Sequence, residues 1–338
     1  MRETPVTLAR IRATREEFKG RLHHTPVLSS ATAAQLAGAA CGVRLADSRL
    51  YLKAEHLQKT GSFKPRAALA RIASLTPAER SRGAITMSAG NAGQAYAWAC
   101  RELGVPMTVV MPNGAVPGKV AACVAYGAEV VFHGRHVGES RVRLEELRQE
   151  RGLTLVHPYD DPEVLLGTGS CGLEILDDLP DVGVVVVPVG GGGLLGGVLV
   201  ALRETRPGIR VFGVEPVGAD SLHRALAGGG VPVPITPASV ADGLMAPIAG
   251  RLVTEIASRY LEGVVLAEDA QILMGMRFAL ERLKQVLEPA GAAALGAVLA
   301  GAVPLREGER VCVIASGGNV ALDRLGELLA AAPPLPGA

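Results

Sequence analysis

One lysine in this chain stands in a setting that suits covalent chemistry with a carbonyl group. Lys64 lies in the segment KTGSFKPRAA, residues 59–68, between a Gly-Ser turn and an apolar helical run. An amine held at such a position can form an imine with an aldehyde. The segment alone is weak evidence, because most lysines are solvated surface charges. Three other motifs accompany it, SAGNAGQ at 88–94, GGGG at 190–193 and SGGN at 316–319, and together they indicate a site for a phosphate-bearing cofactor.

The four consecutive glycines directly follow an apolar run, VVVVPV, and precede LLGGVLVALRE. Residues without Cβ at the start of a helix can wrap their N–H groups around a phosphate. The spacing of Gly191, Gly193 and Gly196 also fits a dinucleotide fingerprint, so the glycines alone leave a dinucleotide open, as well as a flexible turn without ligand. Four contiguous glycines favour a compact cup for a single phosphate, formed by Gly190, Gly191, Gly192 and Gly193.

The other two turns carry polar side chains. In SAGNAGQ, Ser88 ends a strand, Gly90 allows a tight bend, and Asn91 begins a helix where its amide and free N–H groups can meet a ring hydroxyl and a carboxylate. In SGGN, Ser316 offers a hydroxyl to a heteroaromatic nitrogen. Helix capping is the competing use of both Asn91 and Ser316.

Bulk properties limit the classes of partner. The 338 residues suffice for two domains. Apolar residues make up 49% of the chain and charged residues 20%. The net charge of +1 gives no electrostatic reason to expect nucleic acid or an anionic membrane as a partner. Small molecules and further copies of the chain are therefore the expected partners. No apolar run reaches the ~18 residues of a spanning helix, and the N-terminus lacks the order of a secretory signal, which predicts a cytoplasmic protein. The cysteines and histidines show no metal-ligand spacing, and the dispersed cysteines fit reduced thiols.

Short, nearly continuous apolar runs alternate with amphipathic ones, as in parallel sheets covered on both faces. One series lies in residues 79–157 and predicts a small domain; a second series, together with the N-terminal part, predicts a large domain of residues 1–78 and 158–338. The predicted fold is therefore α/β with two domains, each an open twisted mostly parallel sheet with helices on both faces. Ligands bind such sheets at the carboxyl ends of the strands, where each of the glycine turns lies. The run EDAQILMGMRFALERLKQVL predicts a helix that begins at Glu268 and Asp269 and ends before Pro289.

Five motifs carry a family resemblance by their order and spacing: LQKTGSFKPRAA, SAGNAGQ, GGGG, LEPAGA at 287–292 and SGGNV. They closely resemble those of the pyridoxal-phosphate (PLP) enzymes of the tryptophan-synthase-β fold, fold type II, in the threonine/serine dehydratase and serine racemase group. The resemblance extends from about residue 20 to 326 and implies a cofactor cleft between the two domains.

The resemblance assigns cofactor contacts to these motifs. It implies that Lys64 carries pyridoxal 5'-phosphate as a Schiff base with Phe63 against the pyridine ring, that Asn91 contacts the phenolic oxygen, and that the glycines at 190–193 hold the phosphate. Ser316 would face the pyridine nitrogen. A serine does not hold a proton there as an aspartate does, so the ring is a weaker electron sink and β-elimination is favoured over transamination.

Substrate contacts are implied in the same way. The substrate carboxylate would rest on the turn from Ser88 to Gln94, and Arg141 matches by order an arginine implicated in carboxylate binding in the racemases, with an exposed helix charge as its alternative. Glu288 resembles a glutamate near the cofactor, with a structural role at a helix end as its alternative. The implied substrate-binding residues are Ser88, Ala89, Gly90, Asn91, Ala92, Gln94 and Arg141.

Departures from the family bear on the reaction. Ala89 stands where racemases carry an acid/base serine, which favours the dehydratases, and Ala92 replaces a histidine common in both, so the side-chain pocket differs from a standard threonine pocket. The segment GVEPVGADS resembles a cation-binding segment of the racemases. Glu215 and the carbonyl of Ala219 fit it, but Ser221 replaces the expected acid, which weakens any mono- or divalent cation site.

The resemblance thus implies a PLP-dependent carbon-oxygen lyase of the threonine/serine ammonia-lyase type, which converts a β-hydroxy α-amino acid to a 2-oxo acid and ammonia, as a homodimer. Alternatives on the same fold are an amino-acid racemase and a dehydratase specialised for 3-hydroxyaspartate, phenylserine or a hydroxyectoine-pathway substrate. A non-enzymatic alternative is an amino-acid-binding regulatory protein, since a fold does not secure a function. Lys64 argues against that alternative, because a sensor needs no imine-forming lysine.

Overall fold

A computed structural model describes residues 5–135 and 137–335, and its strands form two sheets. The larger sheet has the order β1-β2-β10-β7-β8-β9, with β1 antiparallel to β2 and all other pairs parallel. The smaller sheet has the order β5-β4-β3-β6 and is parallel throughout. The strands are β1 Val27–Ser30, β2 Leu50–Lys53, β3 Ala84–Met87, β4 Met107–Met111, β5 Glu129–Phe132, β6 Thr154–Leu155, β7 Val184–Pro188, β8 Arg210–Pro216, β9 Gly263–Ala267 and β10 Val311–Ile314.

Helices connect most of these strands, as parallel pairing requires. They are α1 Leu8–Glu17, α2 Ala31–Cys41, α3 Lys64–Ala73, α4 Pro77–Arg82, α5 Asn91–Leu103, α6 Pro117–Ala125, α7 Val137–Arg151, α8 Pro162–Asp178, α9 Gly193–Thr205, α10 Ser221–Ala227, α11 Arg251–Tyr260, α12 Asp269–Phe278, α13 Pro289–Leu299 and α14 Leu322–Ala331.

Both faces of the larger sheet are covered. Along β7, Val184 and Val186 belong to one hydrophobic core with α2, α12, α13 and α14, whereas Val185 and Val187 belong to another with α8, α9 and α11. In the smaller sheet, Val109 packs with α5 on one face and Val110 packs with α7 on the other. Alternate residues of a strand point to opposite faces, so an apolar run buries both sets. The predicted α/β class with two mostly parallel sheets is confirmed, while the domain boundaries stay a prediction.

Helix α3 lies where the two layers of structure meet. It packs against α5 beside the smaller sheet and against α8 beside the larger one. Its first residue is Lys64, and Pro65 follows at a position where a missing N–H costs nothing. The lysine singled out in the sequence is therefore held at the junction of the two sheets.

One predicted helix ends before Pro289 as expected, but it stops short of the end of its apolar run. Helix α12 begins after Glu268 as predicted, with a capping box between Glu268 and Gln271. It then widens into a π-helical turn, Ala279–Leu283, and ends at Lys284, whose φ of 59° is left-handed. The next residues lead to Glu288, which occupies the N-cap position of α13. Apolar periodicity alone does not reveal such a break.

Helix hydropathy and the state of the cysteines complete the description of the fold. In the part of the chain that the structure describes, no helix has the length and hydropathy needed to cross a bilayer. All five cysteines carry free thiols, and all but Cys41 are buried.

Candidate active site

Three of the sequence motifs are joined by hydrogen bonds at the carboxyl edge of the larger sheet. Ser62 forms an antiparallel bridge with Gly317, and the Phe63 N–H donates to the Ser316 carbonyl at 3.0 Å. The Asn319 amide donates to the Asn91 Oδ1 at 2.8 Å. Segments about 30, 230 and 260 residues apart in sequence thus form one unit around the start of α3.

Lys64 has the environment of a reactive amine. Its Nζ donates to the Pro158 carbonyl at 3.2 Å and lies 4.9 Å from the ring centroid of Phe63. Burial lowers the pKa of Lys64 to about 8, against the opposing charge of Glu288. No carboxylate among the described residues forms an ion pair with it. A lysine whose pKa is lowered by desolvation is neutral more often at physiological pH and is a better nucleophile and base.

Asn91 and Glu288 form a contact that crosses the site. The Asn91 Nδ2 donates to the Glu288 Oε1 at 2.5 Å. Gly90, rather than Asn91, is the N-cap of α5, and no side chain caps that helix, so the capping alternative for Asn91 is wrong. Burial, followed by the charge of Asp242, raises the pKa of Glu288 to about 7. The Glu288 carboxylate makes no capping bond either, so it is available to the site.

The tetraglycine segment forms a tight turn at the start of α9. Gly192 has a φ of 88°, which favours glycine, and a Cβ on it would lie 2.4 Å from the Val253 Cγ1. A Cβ on Gly191 would lie 2.3 Å from the ring of Tyr159. The N–H groups of Gly190, Gly191 and Gly192 donate to no other described residue, and free N–H groups at a helix start are the donors that a phosphate needs.

A short segment joins this turn to the lysine. Tyr159 packs on Gly191 and Gly193, and the carbonyl of the preceding residue, Pro158, accepts the hydrogen bond from Lys64. The phosphate donors and the reactive amine therefore lie on the same side of the molecule.

Ser316 is buried just after the end of strand β10. Its Oγ lies 3.5 Å from the Ala290 carbonyl. Helix α14 begins only at Leu322 with Ala321 as its N-cap, so the capping alternative for Ser316 is also wrong.

The proposed substrate turn is at the end of β3. The Ser88 Oγ accepts the Gly90 N–H at 3.2 Å, and Ala92 and Gln94 are buried on α5. Arg141 is exposed on α7, and after burial its charge is one of those that lower the pKa of the partly buried His157. The structure brings Ser88, Ala89, Gly90, Asn91, Ala92 and Gln94 together on one short segment, and leaves Arg141 at the surface.

The candidate cation ligands have other partners. The two carboxylate oxygens of Glu215 accept the N–H groups of Leu222 and His223 at 2.9 and 2.8 Å, at the start of α10. Burial raises the pKa of Glu215 to about 7, which favours a neutral acid over an anionic ligand. The carbonyl of Ala219 belongs to a buried turn. This donor set fits a hard cation poorly, and no group of three or more His, Cys, Asp or Glu in residues 5–135 and 137–335 has the geometry of a metal site.

Three residues near the site were not singled out from the sequence. Asn319 and Tyr159 make the contacts described above, and His157 directly precedes Pro158. A signal existed for His157, because it follows an apolar strand at the sheet edge where ligands bind.

Comparison with known proteins decides the family. The family model described as pyridoxal-phosphate dependent enzyme matches residues 23–317. This chain is a pyridoxal-phosphate-dependent enzyme. It is 44% identical to the L-threonine ammonia-lyase of Geobacter sulfurreducens over 272 residues, 80% of the enzyme and 67% of that relative. Among solved structures, it superposes on maize serine racemase with a TM-score of 0.88 and 30% identity, covering 96% of the enzyme and 97% of that chain. With the processed form of threonine deaminase isoform 2 from Solanum lycopersicum, the TM-score is 0.87 and the identity is 30%. This superposition covers 97% of the enzyme and 92% of that chain.

These findings confirm the family predicted from the motifs, that of the pyridoxal-phosphate-dependent enzymes. The residues of the enzyme fit the cofactor. Lys64, which has no carboxylate partner among the described residues, and the glycine turn with its free N–H groups contact the same short segment, Pro158 and Tyr159. The cofactor contacts of individual residues stay a prediction.

Proposed function

We propose that this enzyme is an ammonia-lyase that converts a β-hydroxy α-amino acid of the L-threonine or L-serine type to a 2-oxo acid and ammonia. The observation that carries the proposal is the partly buried amine of Lys64, which has a lowered pKa and a backbone carbonyl as its hydrogen-bond partner beside the glycine turn. The likeness to proteins named L-threonine ammonia-lyase and threonine deaminase supports it.

Each group would have a distinct task. Lys64 would hold the cofactor, Asn91 and Ser316 would contact its ring, and the glycines at 190–193 would hold its phosphate. Bound pyridoxal 5'-phosphate supplies an electrophilic carbonyl carbon and an electron-withdrawing ring. Lys64, freed by the substrate amine and neutral near its pKa of about 8, would then take the Cα proton.

The substrate would be oriented by its carboxylate. The segment from Ser88 to Gln94 presents the N-terminal N–H groups of α5, which attract an anion. Ala89 carries no proton-transferring group, so the opposite face of Cα lacks an acid at this position. A second proton transfer there would be needed for racemisation, so elimination is the main reaction that we propose.

We extend the proposal to the setting of the enzyme. The near-zero net charge fits a small amino acid, rather than nucleic acid or a membrane, as partner. We place the enzyme in the cytoplasm as a homodimer, with two domains of residues 1–78 plus 158–338 and 79–157 and the cofactor cleft between them.

The experiment is a measurement of 2-oxo acid and ammonia released by purified enzyme from a panel of β-hydroxy amino acids. Lys64→Ala is expected to lose more than ~10³-fold in kcat together with the visible absorption band of the bound cofactor. Lys19→Ala is the control, because the Lys19 side chain is 76% exposed. Lyase activity retained by Lys64→Ala would rule the proposal out.

Racemisation is the second candidate, favoured by the superposition on maize serine racemase. Incubation with L-serine, with D-serine and pyruvate measured separately, decides between them. We expect pyruvate in large excess, and Ala89→Ser is expected to shift the ratio toward D-serine.

A further inference from the structure

The His157 ring is held in one orientation. His157 follows strand β6, which pairs with β3. The Thr86 hydroxyl of β3 donates to the carbonyl of Val156 at 2.9 Å, so His157 lies beside the end of β3, where the Ser88 turn begins. The His157 Nδ1 accepts the N–H of Asp160 at 2.9 Å and that of Tyr159 at 3.3 Å. The ring also packs edge-on against Tyr159, with centroids 4.6 Å apart. Because Nδ1 accepts hydrogen bonds, the ring proton of the neutral form is on Nε2.

The Nε2–H group of His157 is free to contact a ligand. It donates to no described residue. Because His157 is only partly buried and its Nε2 is not a fully buried atom, this N–H group faces accessible space. Lys64 is nearby, because the next residue along the chain, Pro158, accepts the hydrogen bond from the lysine, and the charge of Lys64 acts on the His157 ring. The backbone of His157 is fixed as well, by the Tyr96 hydroxyl, which donates to its carbonyl at 2.7 Å.

Burial keeps the His157 ring neutral by lowering its pKa. Burial lowers the pKa of His157, as do the charges of Lys64 and Arg141, whereas Asp160 and Asp161 act in the opposite direction.

Both of these carboxylates are engaged elsewhere. Asp160 accepts the N–H groups of Arg251 and Leu252 at 3.0 and 3.1 Å, and Asp161 pairs with Arg71 at 2.7 Å. A protonated ring would also place an N–H on Nδ1 against two backbone donors. His157 therefore has the properties of a hydrogen-bond donor rather than of a general acid.

We propose that His157 contacts the substrate as a neutral donor, with its Nε2–H directed at the β-oxygen that leaves. This proposal rests on the proposed lyase function. In the elimination the Cα–H and Cβ–O bonds break and a Cα=Cβ bond forms, so that water departs. Lys64 takes the Cα proton and, as an ammonium, returns it to the departing oxygen, so the proton count balances while His157 keeps its own proton. The hydrogen bond orients the β-oxygen and stabilises the charge that develops on it.

The test compares leaving groups. With L-serine, His157→Phe is expected to lower kcat/KM by ~10–100-fold, the range expected for a lost hydrogen bond to a developing charge. With 3-chloro-L-alanine, whose chloride leaves without a proton, the same variant is expected to stay within ~3-fold of the native enzyme. His157→Gln, whose amide can present an N–H, is expected to restore part of the L-serine activity. His133→Phe is the matched control, because this exposed histidine follows β5 as His157 follows β6.

A second readout separates this role from a structural one. The thermal midpoint and the dissociation constant for pyridoxal 5'-phosphate, measured by fluorescence on cofactor-free protein, are expected to be unchanged in His157→Gln. An equal loss with both substrates, or a loss of cofactor affinity that accounts for the lost activity, would overturn the proposal. Native enzyme that releases no 2-oxo acid from any β-hydroxy amino acid refutes the lyase function itself, which is a different result.

Discussion

At the scale of single residues, the chemistry depends on two groups, Lys64 and Glu288, whose pKa values desolvation moves in opposite directions. Desolvation disfavours the charged form of each, so the pKa of Lys64 falls to about 8 and that of Glu288 rises to about 7. Each also feels the charge of the other. Both groups therefore change charge near physiological pH, where a general base is most useful.

Glu288 leads to a prediction about stability and pH. Its pKa in the folded protein, about 7, lies above the ordinary value of 4.5, so the folded state binds the proton more tightly. The stability that Glu288 contributes is thus present below pH 4.5 and is lost as pH rises through 7. Relative to Glu288→Gln, which stays neutral, the native protein is expected to lose on the order of 1–3 kcal/mol across this interval.

The measurement is urea unfolding of both cofactor-free proteins from pH 4 to 8. Glu281→Gln serves as the control, since the Glu281 side chain is 45% exposed. A native protein that gains stability relative to Glu288→Gln between pH 5 and 7 would contradict the assigned direction.

At the scale of elements, the orientation of α3 depends on a buried ionic cluster two residues after the reactive lysine. Arg66 contacts the Glu55 carboxylate at 2.7 Å and that of Glu174 at 2.6 Å, and Lys53 contacts Glu174 at 2.8 Å. All four side chains are buried. The cluster fastens α3 to the end of β2 and to α8.

We predict that Arg66→Met destabilises the protein by ~3–5 kcal/mol, because it leaves two buried carboxylates with one cation between them. Arg148→Met, which breaks an exposed pair with Glu145, is expected to cost less than ~1 kcal/mol. Urea unfolding of both variants measures these changes in the free energy of unfolding. Equal losses of stability would show that the buried cluster is no more important than a surface pair.

The glycine turn allows a second prediction at this scale. Gly191→Ala would push a methyl group into the ring of Tyr159, at 2.3 Å, in the segment that also contacts Lys64. We expect a weakening of pyridoxal 5'-phosphate binding by at least ~10-fold, because the turn must shift to relieve the clash. Gly114→Ala is the control, since a Cβ there meets no atom within 4 Å. Equilibrium dialysis of the cofactor would show an unchanged dissociation constant if the turn does not hold it.

At the scale of the whole molecule, one ion pair joins the two sheets across the site. Lys119 on α6 contacts Asp242 at 2.9 Å, and the Lys119 side chain is only 15% exposed. Asp242 begins a turn whose Leu244 lies against Gly190, and both charges act on Glu288. The pair thus lies between the helix layer of the smaller sheet and the phosphate turn of the larger one.

Removal of this pair is expected to affect binding more than folding. We predict that Lys119→Ala raises the substrate KM about 2–5-fold, as expected for a partly exposed pair. It should also reduce the dependence of KM on salt. The double variant Lys119→Ala, Asp242→Ala should add little to either single variant in steady-state kinetics, since both remove one interaction. Additive effects would mean that the two residues act separately.

The sequence by itself determined the fold class and the family and singled out Lys64, because apolar periodicity and contiguous motifs are local properties. Helix α5 from Asn91 to Leu103 was predictable to the residue, with Gly104 in the left-handed conformation after it. Only the tertiary structure decided that Asn91 contacts Glu288 rather than capping its own helix, that the run after Glu268 breaks at Lys284, and that Pro158, next to His157, contacts Lys64. These outcomes depend on contacts between segments tens to hundreds of residues apart, whose geometry arises only when two sheets pack around a common helix.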